Sequence, residues 1–381
     1  MRTAADLFRG TGSGPCGLYL HVPFCRSKCP YCSFYSRPLT ARALDEYLTG
    51  VERELGILAS RYSGKLQTVY IGGGTPSALP IDAWRRLFAA LEWLKRESSA
   101  EFTAEANPES LTDELIGLWQ DHGVNRVSLG VQSLDDRILS GLSRHHSAVQ
   151  ALERTAQCVR LGFRVSCDVM FGLPGQTLRN FAETVKRLVS TGVRHLSLYQ
   201  LSIEPGSYWW AHRPKELGGG YASYRWAQWY LPRQGFRQYE IASFAGPGEE
   251  SRHNQLYWTR ANVLPAGPSA WGYWEGCRTC GEPTVGRWAA DLAAGRLPLA
   301  GWEELKGGRA ASEAVILGTR MAQGIDLASW ESQFGRRARG ELERRLSLLP
   351  PDCFAVRAGR LSLTPKGMRL GNALWSELLE L

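Results

Sequence analysis

No stretch of the chain holds the ~18 successive apolar residues that a membrane-spanning helix needs. The opening residues Met1-Arg2-Thr3-Ala4-Ala5-Asp6-Leu7-Phe8-Arg9 carry no hydrophobic signal segment. The expectation is therefore a cytoplasmic protein, with at most a transient, peripheral contact with the inner face of the cell membrane. There is no low-complexity tract. The basic residues form no long block although the formal net charge is +8, which gives little reason to expect a nucleic-acid partner. A disulfide framework is also missing: the nine cysteines are an odd number without a secretion signal, the usage of reduced thiols and metal chemistry.

Against these absences, residues 18–201 alternate short apolar runs with longer amphipathic stretches. Strands are expected at 18–21, 68–71, 102–106, 126–131, 165–171 and 195–201. Helical patterns lie between them at 43–60, 82–97, 113–123, 148–162 and 180–192, several closed by glycine. Six βα units in parallel order predict an α/β fold, a partial (β/α)6 TIM-like barrel whose chemistry gathers at the C-terminal strand ends. The unusual residues fall at those ends. Strand one runs into Cys25, Cys29 and Cys32, strand two into Gly72-Gly73-Gly74-Thr75, and strand three into Glu105-Ala106-Asn107-Pro108-Glu109. Gln132 ends strand four, and Asp168 lies on strand five.

After residue 206 the character shifts. Residues 208–229 are rich in aromatics and interrupted by Gly218-Gly219-Gly220, a soft boundary is expected at 235, and 246–286 reads as loop. Helical patterning returns at 312–322, 327–334 and 337–348. A hairpin follows about Ala358-Gly359, so the C-terminal part reads as helical and winged-helix-like. The expected division is an N-terminal tail over 1–14, a core barrel over 15–235 and a C-terminal domain over 236–381.

The spacing C-x3-C-x2-C on one loop suits three irons of a four-iron cluster, leaving the fourth iron open to a small molecule. A zinc knuckle is the alternative, but it needs four ligands and only His21 stands near as a fourth. The triple glycine lets a backbone approach a ligand closely, and is otherwise a tight turn. Cys277 and Cys280 form a single C-x2-C pair without two further ligands, so they read as local thiols.

The motifs LYLHVPFC (18–25), GGGTPS (72–77), EANPE (105–109), GVQS (130–133), RHHS (144–147), DVMFGLPGQT (168–177), YEIASF (239–244) and LTPKG (363–367) resemble the radical S-adenosylmethionine superfamily. Within it the resemblance is to the branch around oxygen-independent coproporphyrinogen III oxidase, including its haem-chaperone members. It implies a radical SAM barrel with a C-terminal domain of the coproporphyrinogen-oxidase type. It also implies a [4Fe-4S] cluster on Cys25, Cys29 and Cys32, which can pass one electron to S-adenosylmethionine. Contacts to that cofactor are implied for Tyr19, Tyr31, Gly73, Gly74, Thr75, Glu105, Gln132, Arg144 and Asp168.

In the haem-chaperone members the pattern H-N-x-x-Y-W is implicated in haem binding, which here falls on His253, Asn254, Tyr257 and Trp258. A structural aromatic cluster about a core histidine is the plainer reading of the same residues. Two positions depart from the branch. Phe34 stands where the oxidases carry a fourth cysteine, which argues against decarboxylation, and Trp271 replaces a usual histidine. The resemblance thus implies a haem chaperone that delivers haem to an apo-haemoprotein or a respiratory enzyme. A porphyrinogen oxidase and a radical methyltransferase are the alternatives. No catalytic residue is assigned, and a homodimer remains open.

Overall fold

In the computed structural model, residues 7–381 are described. Strand β1 (Cys16–Val22) is followed by α1 (Ala41–Arg61), β2 (Leu66–Gly73), α2 (Ile81–Leu91), β3 (Arg96–Ala106), α3 (Asp113–Asp121) and β4 (Arg126–Gln132). Then come α4 (Asp136–Gly141), α5 (Ala148–Arg160), β5 (Arg164–Phe171), α6 (Leu178–Ser190) and β6 (His195–Gln200). Local chemistry sets the helix starts. Thr40, Thr112, Ser147 and Thr177 each accept the backbone N–H three residues on, and Asn180 completes a capping box with Thr177.

β1 to β6 pair in parallel and in chain order. A period-two pattern explains what each face does. Leu18, Leu20, Val69, Ile71, Phe102, Ala104, Val127, Leu129, Val165, Cys167, Leu196 and Leu198 join the main core with the helices. The alternate residues are polar and meet one another on the other face: Tyr70 with Glu105, Ser128 with Asp168, and Ser166 with His195 and Ser197. The sheet is therefore wrapped about a polar interior, unlike the packed apolar centre of a typical closed barrel.

The chain continues through α7 (Tyr208–Ala211), α8 (Tyr221–Tyr230), β7 (Arg237–Gln238), β8 (Ser243–Ala245) and α9 (Arg252–Trp258). It goes on through β9 (Asn262–Ala266), β10 (Trp271–Trp274), β11 (Cys277–Gly281), α10 (Val285–Ala293) and β12 (Leu299–Glu304). The stretch 246–286, expected as loop, is thus largely regular. Its short elements carry glycine and aromatic residues that mask their periodicity. β9 pairs in parallel with the free side of β1, and β10, β11 and β12 extend that edge antiparallel. β8 and β7 extend the other edge beyond β6.

The expected boundary at residue 235 cuts through this sheet. A separate core begins only at Ala311, with Val315, Trp330, Leu342, Leu361 and Trp375. That second unit comprises α11 (Gly307–Arg320), β13 (Ile325–Asp326), α12 (Leu327–Leu346), the hairpin β14 (Phe354–Arg357) and β15 (Arg360–Leu363), α13 (Pro365–Arg369) and α14 (Gly371–Ser376). Strand order β13-β15-β14 gives it a small winged sheet. Gly335, at φ +89°, kinks α12 between the two helical patterns expected there. Of the expected N-terminal tail, residues 1–6 lie outside the described part. Leu7 and Phe8 are fully buried, with Phe8 edge-on to Trp274 at 5.7 Å.

Candidate functional site: a three-thiol loop over a polar cavity

The loop after β1 leaves the sheet at Phe24 and returns at Arg37. The N–H of Cys25 donates to the carbonyl of Arg37 (3.2 Å), and the N–H of Arg37 donates to the carbonyl of Pro23 (2.7 Å). Within that closed loop the Cys32 N–H donates to the Cys29 carbonyl at 3.1 Å, folding the third thiol back toward the second. All three cysteines are free and partly exposed. They border one cavity of about 440 Å³ at the C-terminal ends of the strands.

That cavity brings together most of the residues expected to meet S-adenosylmethionine: Tyr31, Gly73, Gly74, Thr75, Glu105, Gln132, Arg144 and Asp168. Tyr19 stands apart, with its hydroxyl 3.0 Å from His21 Nδ1. Gly73 sits at φ +114°, and a Cβ there would lie 2.6 Å from the His21 ring. A Cβ on Gly74 would lie 2.4 Å from the Phe24 carbonyl oxygen and 3.0 Å from Cys25 Sγ. Both positions demand glycine because the loop and β2 pass so close.

The charged groups are held in place from below. Glu105 accepts from the Tyr70 hydroxyl (2.6 Å) and the Gly73 N–H (2.9 Å), and burial pushes its carboxyl up. Asp168 accepts from Ser128 Oγ at 3.2 Å; burial, then the neighbouring Glu105 charge, pushes it up to about 7. Arg144 donates to the Asn107 carboxamide oxygen (2.6 Å) and the Gly130 carbonyl (2.7 Å), and lies 3.8 Å from Cys29 Sγ. Its Nε is buried without a partner among the described residues. Two carboxyls, a guanidinium and a bare glycine backbone beside three thiols form a donor and acceptor set suited to a zwitterionic amino acid carrying a ribose.

Asn107, Met170 and Tyr199 also border this cavity; the sequence places Asn107 at the end of strand three and Met170 within a family motif, but assigns none of the three a contact. Asn107 links Arg144 to Thr75 Oγ1 (3.4 Å) and Glu109 (3.1 Å). The signal that could have found Met170 and Tyr199 is the period-two register itself, since each lies two residues beyond a polar inward position, Asp168 and Ser197. Phe34 is 66 % exposed and forms part of the cavity rim.

His253, Asn254, Tyr257 and Trp258 lie at the opposite end of the strands, on α9. The Glu101 carboxylate accepts from the first amides of this helix, Arg252 N–H (3.1 Å) and His253 N–H (2.9 Å), and pairs with Arg126 and Arg164. α9 thereby stoppers the barrel. His253 is 1 % exposed, its Nδ1 is 2.8 Å from Thr68 Oγ1, and its ring stacks on Tyr70 at 5.0 Å. Burial drives its pKa down to about 3, so it is neutral, and its Nε2 has no partner among the described residues. Tyr257 meets it edge-on at 5.6 Å, and Trp258 lies under the Arg320 guanidinium at 4.1 Å. Of these residues only Tyr257 meets His253, whose imidazole is buried with no open face toward solvent, while Trp258 packs against Arg320.

Trp271 is 57 % exposed. Cys277 and Cys280, three residues apart on β11, point to opposite faces of the sheet and so do not converge on one ion.

A parallel βα sheet curved about a polar interior, with three thiols on its first rim loop, defines the radical SAM class. The profile of the Radical SAM superfamily matches residues 19–188, and that of the HemN C-terminal domain matches 309–370. The solved structure of coproporphyrinogen III oxidase (HemN) from Escherichia coli superposes with a TM-score of 0.85 at 21% identity, covering 98% of this chain and 91% of that one, which establishes the fold. The heme chaperone HemW of Bacillus subtilis is 30% identical over 95% of this chain and 98% of its own length, and that of Mycobacterium tuberculosis 34% over 96% and 95%. The chain belongs to the HemW family of the radical SAM superfamily, and that superfamily implies a [4Fe-4S] cluster and S-adenosylmethionine.

Proposed function

We propose that this protein is a haem chaperone, binding haem and passing it to an apo-haemoprotein or respiratory enzyme. The observation that carries the reading is similarity to relatives named as heme chaperones along essentially the whole of both chains. Cys25, Cys29 and Cys32 would hold the cluster, which when bound supplies a reducing electron and an open iron to S-adenosylmethionine. Gly73 and Gly74 would receive that cofactor against bare backbone. Arg144 offers its unpartnered Nε to a carboxylate, and Glu105 and Asp168 offer acceptors to ammonium or ribose hydroxyls. Tyr31 and Thr75 border the same space, Gln132 sits at its edge, and Tyr19 supports the floor through His21.

The rival reading, porphyrinogen oxidation, meets Phe34 at the cavity rim in place of a fourth thiol. Among the described residues no helix is long and apolar enough to cross a membrane. Contact with an anionic bilayer would instead use the exposed stripe Tyr221, Arg225, Trp229 and Arg233 on α8 and the turn after it, at four-residue spacing.

Anaerobic reconstitution followed by haem titration and transfer to an apo-cytochrome tests the proposal. Stoichiometric haem uptake and delivery are expected, with no carbon dioxide from coproporphyrinogen III. Failure to take up haem with the cluster intact would end this reading.

A further inference from the structure

The inward side chains of β1, β2 and β3 stand in layers fixed by the strand register. The lowest layer holds Gly17, Thr68 and Glu101, and the next Tyr19, Tyr70 and Thr103. The uppermost holds His21, Gly72 and Glu105, and Glu105 opens onto the three-thiol cavity. His253 enters the lowest layer from α9. Gly17 makes room for it, since a Cβ there would lie 2.3 Å from Thr68 Oγ1 and 3.2 Å from His253 Nδ1.

We propose that His253 is a positioning residue for the cofactor cavity, acting on Glu105 through Tyr70. The inference rests on the reading of that cavity as the S-adenosylmethionine site and deepens it, giving the buried histidine a task that requires no access from solvent.

Two lines of contact carry it. In the first, the imidazole is fixed by Thr68 Oγ1, 2.8 Å from Nδ1, and by the Glu101 carboxylate on its backbone N–H. Its ring stacks on Tyr70 at 5.0 Å with the planes 27° apart. The same Tyr70 donates its hydroxyl to one Glu105 oxygen at 2.6 Å, while the Gly73 N–H donates to the other at 2.9 Å. These two donors set the plane of the carboxyl group, so a tilt of the Tyr70 ring turns the acceptor that Glu105 offers to the cavity.

The second line runs through Tyr19, whose ring lies 6.4 Å from His253 and 6.1 Å from Tyr70. Burial lowers the His21 pKa to about 4, so this imidazole is neutral and carries one proton. The Tyr35 carbonyl, 3.2 Å from His21 Nε2, can only accept, which places that proton on Nε2 and leaves Nδ1 to accept from the Tyr19 hydroxyl at 3.0 Å. Tyr35 is on the thiol loop, three residues past Cys32. His253 therefore backs two supports of the cavity, the Glu105 carboxyl and the return limb of the loop.

The test separates the stacked ring from the Thr68 contact. Reconstituted protein is titrated anaerobically with S-adenosylmethionine by equilibrium dialysis, and electron paramagnetic resonance of the reduced cluster is recorded before and after addition. Tyr70→Phe should raise Kd by about tenfold, the loss of one hydrogen bond to a carboxylate. His253→Gln keeps a polar partner for Thr68 but no stacked ring, and should raise Kd by about fivefold and alter the cofactor-bound resonance. His253→Phe keeps the ring and loses the Thr68 contact; it should unfold at lower urea yet hold Kd within about twofold of the wild type. In a Tyr70→Phe background, His253→Gln should add no further loss of affinity. A merely structural role predicts the reverse order, with the glutamine variant closer to the wild type than the phenylalanine one. That order, or an effect of His253→Gln that multiplies in full with Tyr70→Phe, overturns the assignment while leaving the cavity as the cofactor site. Wild-type protein that binds no S-adenosylmethionine with its cluster intact overturns both.

Discussion

Glu54 lies on α1, fully buried. One of its carboxylate oxygens accepts from the Gly267 N–H at 2.7 Å and from the Trp288 indole N–H at 3.0 Å. It ties α1 to α10 and to the turn between β9 and β10. Burial outweighs both hydrogen bonds and raises its carboxyl from 4.5 to about 7. Because the folded value is raised, the neutral acid is the form the fold favours. Its contribution is complete below the unfolded value and is lost as pH climbs through 7.

At about 1.4 kcal/mol for each tenfold in proton affinity, the difference comes to about 3 kcal/mol. Glu54→Gln keeps an oxygen for both donors and removes the ionisation. The variant should match the wild type near pH 4 and exceed it by about 3 kcal/mol above pH 8. Urea unfolding of the reconstituted protein under anaerobic conditions across that range, followed by far-ultraviolet circular dichroism, measures it. The difference between the two curves isolates Glu54, since Asp168 and Glu105 titrate in both. Parallel curves, or a variant that loses stability in alkali, would refute the burial argument.

Gly74→Ala should lower bound iron sharply while leaving the unfolding transition nearly in place, because the added Cβ meets the Phe24 carbonyl and Cys25 Sγ rather than the core; iron analysis alongside circular dichroism checks it. Phe8→Ala should destabilise by about 3–5 kcal/mol, read from chemical denaturation, since the ring is wholly buried against Trp274. Gly335→Ala should cost about 1 kcal/mol or more, and Gly340→Ala, in open space within α12, should gain about 0.4–1 kcal/mol; paired melts compare them. Glu101→Gln should loosen α9 through its lost charge on Arg126, Arg164 and the helix start, and faster hydrogen exchange at the amides of Arg252 and His253 would report it.

The first six strands were legible because their outward positions are apolar at period two and the connecting helices are long and capped. The three-thiol loop and the rim residues announced themselves by type. The segment past residue 235 did not. β9 to β12 are short, and their partners, β1 and one another, are set by tertiary pairing that local periodicity cannot encode. Likewise β3 begins at Arg96 inside a stretch patterned as helix, because its first residues, Arg96 to Ser99, project beyond the apolar core. Residues 253–258 were recognisable as a motif but not as a plug, since the contacts that bury His253 come from Thr68, Tyr70 and Glu101, far away in sequence.

The loop that carries the thiols is pinned at its base, where Pro23 and Cys25 exchange hydrogen bonds with Arg37. It springs from a strand bonded on both sides, by β2 and β9. Damage to a cluster held by these thiols would thereby be confined to a hoop. Oxidative loss of iron should free the hoop's amides to exchange with solvent while those of β1 stay locked, and reinsertion of the metal then becomes a matter of closing a tethered ring, with no refolding of the barrel that holds it.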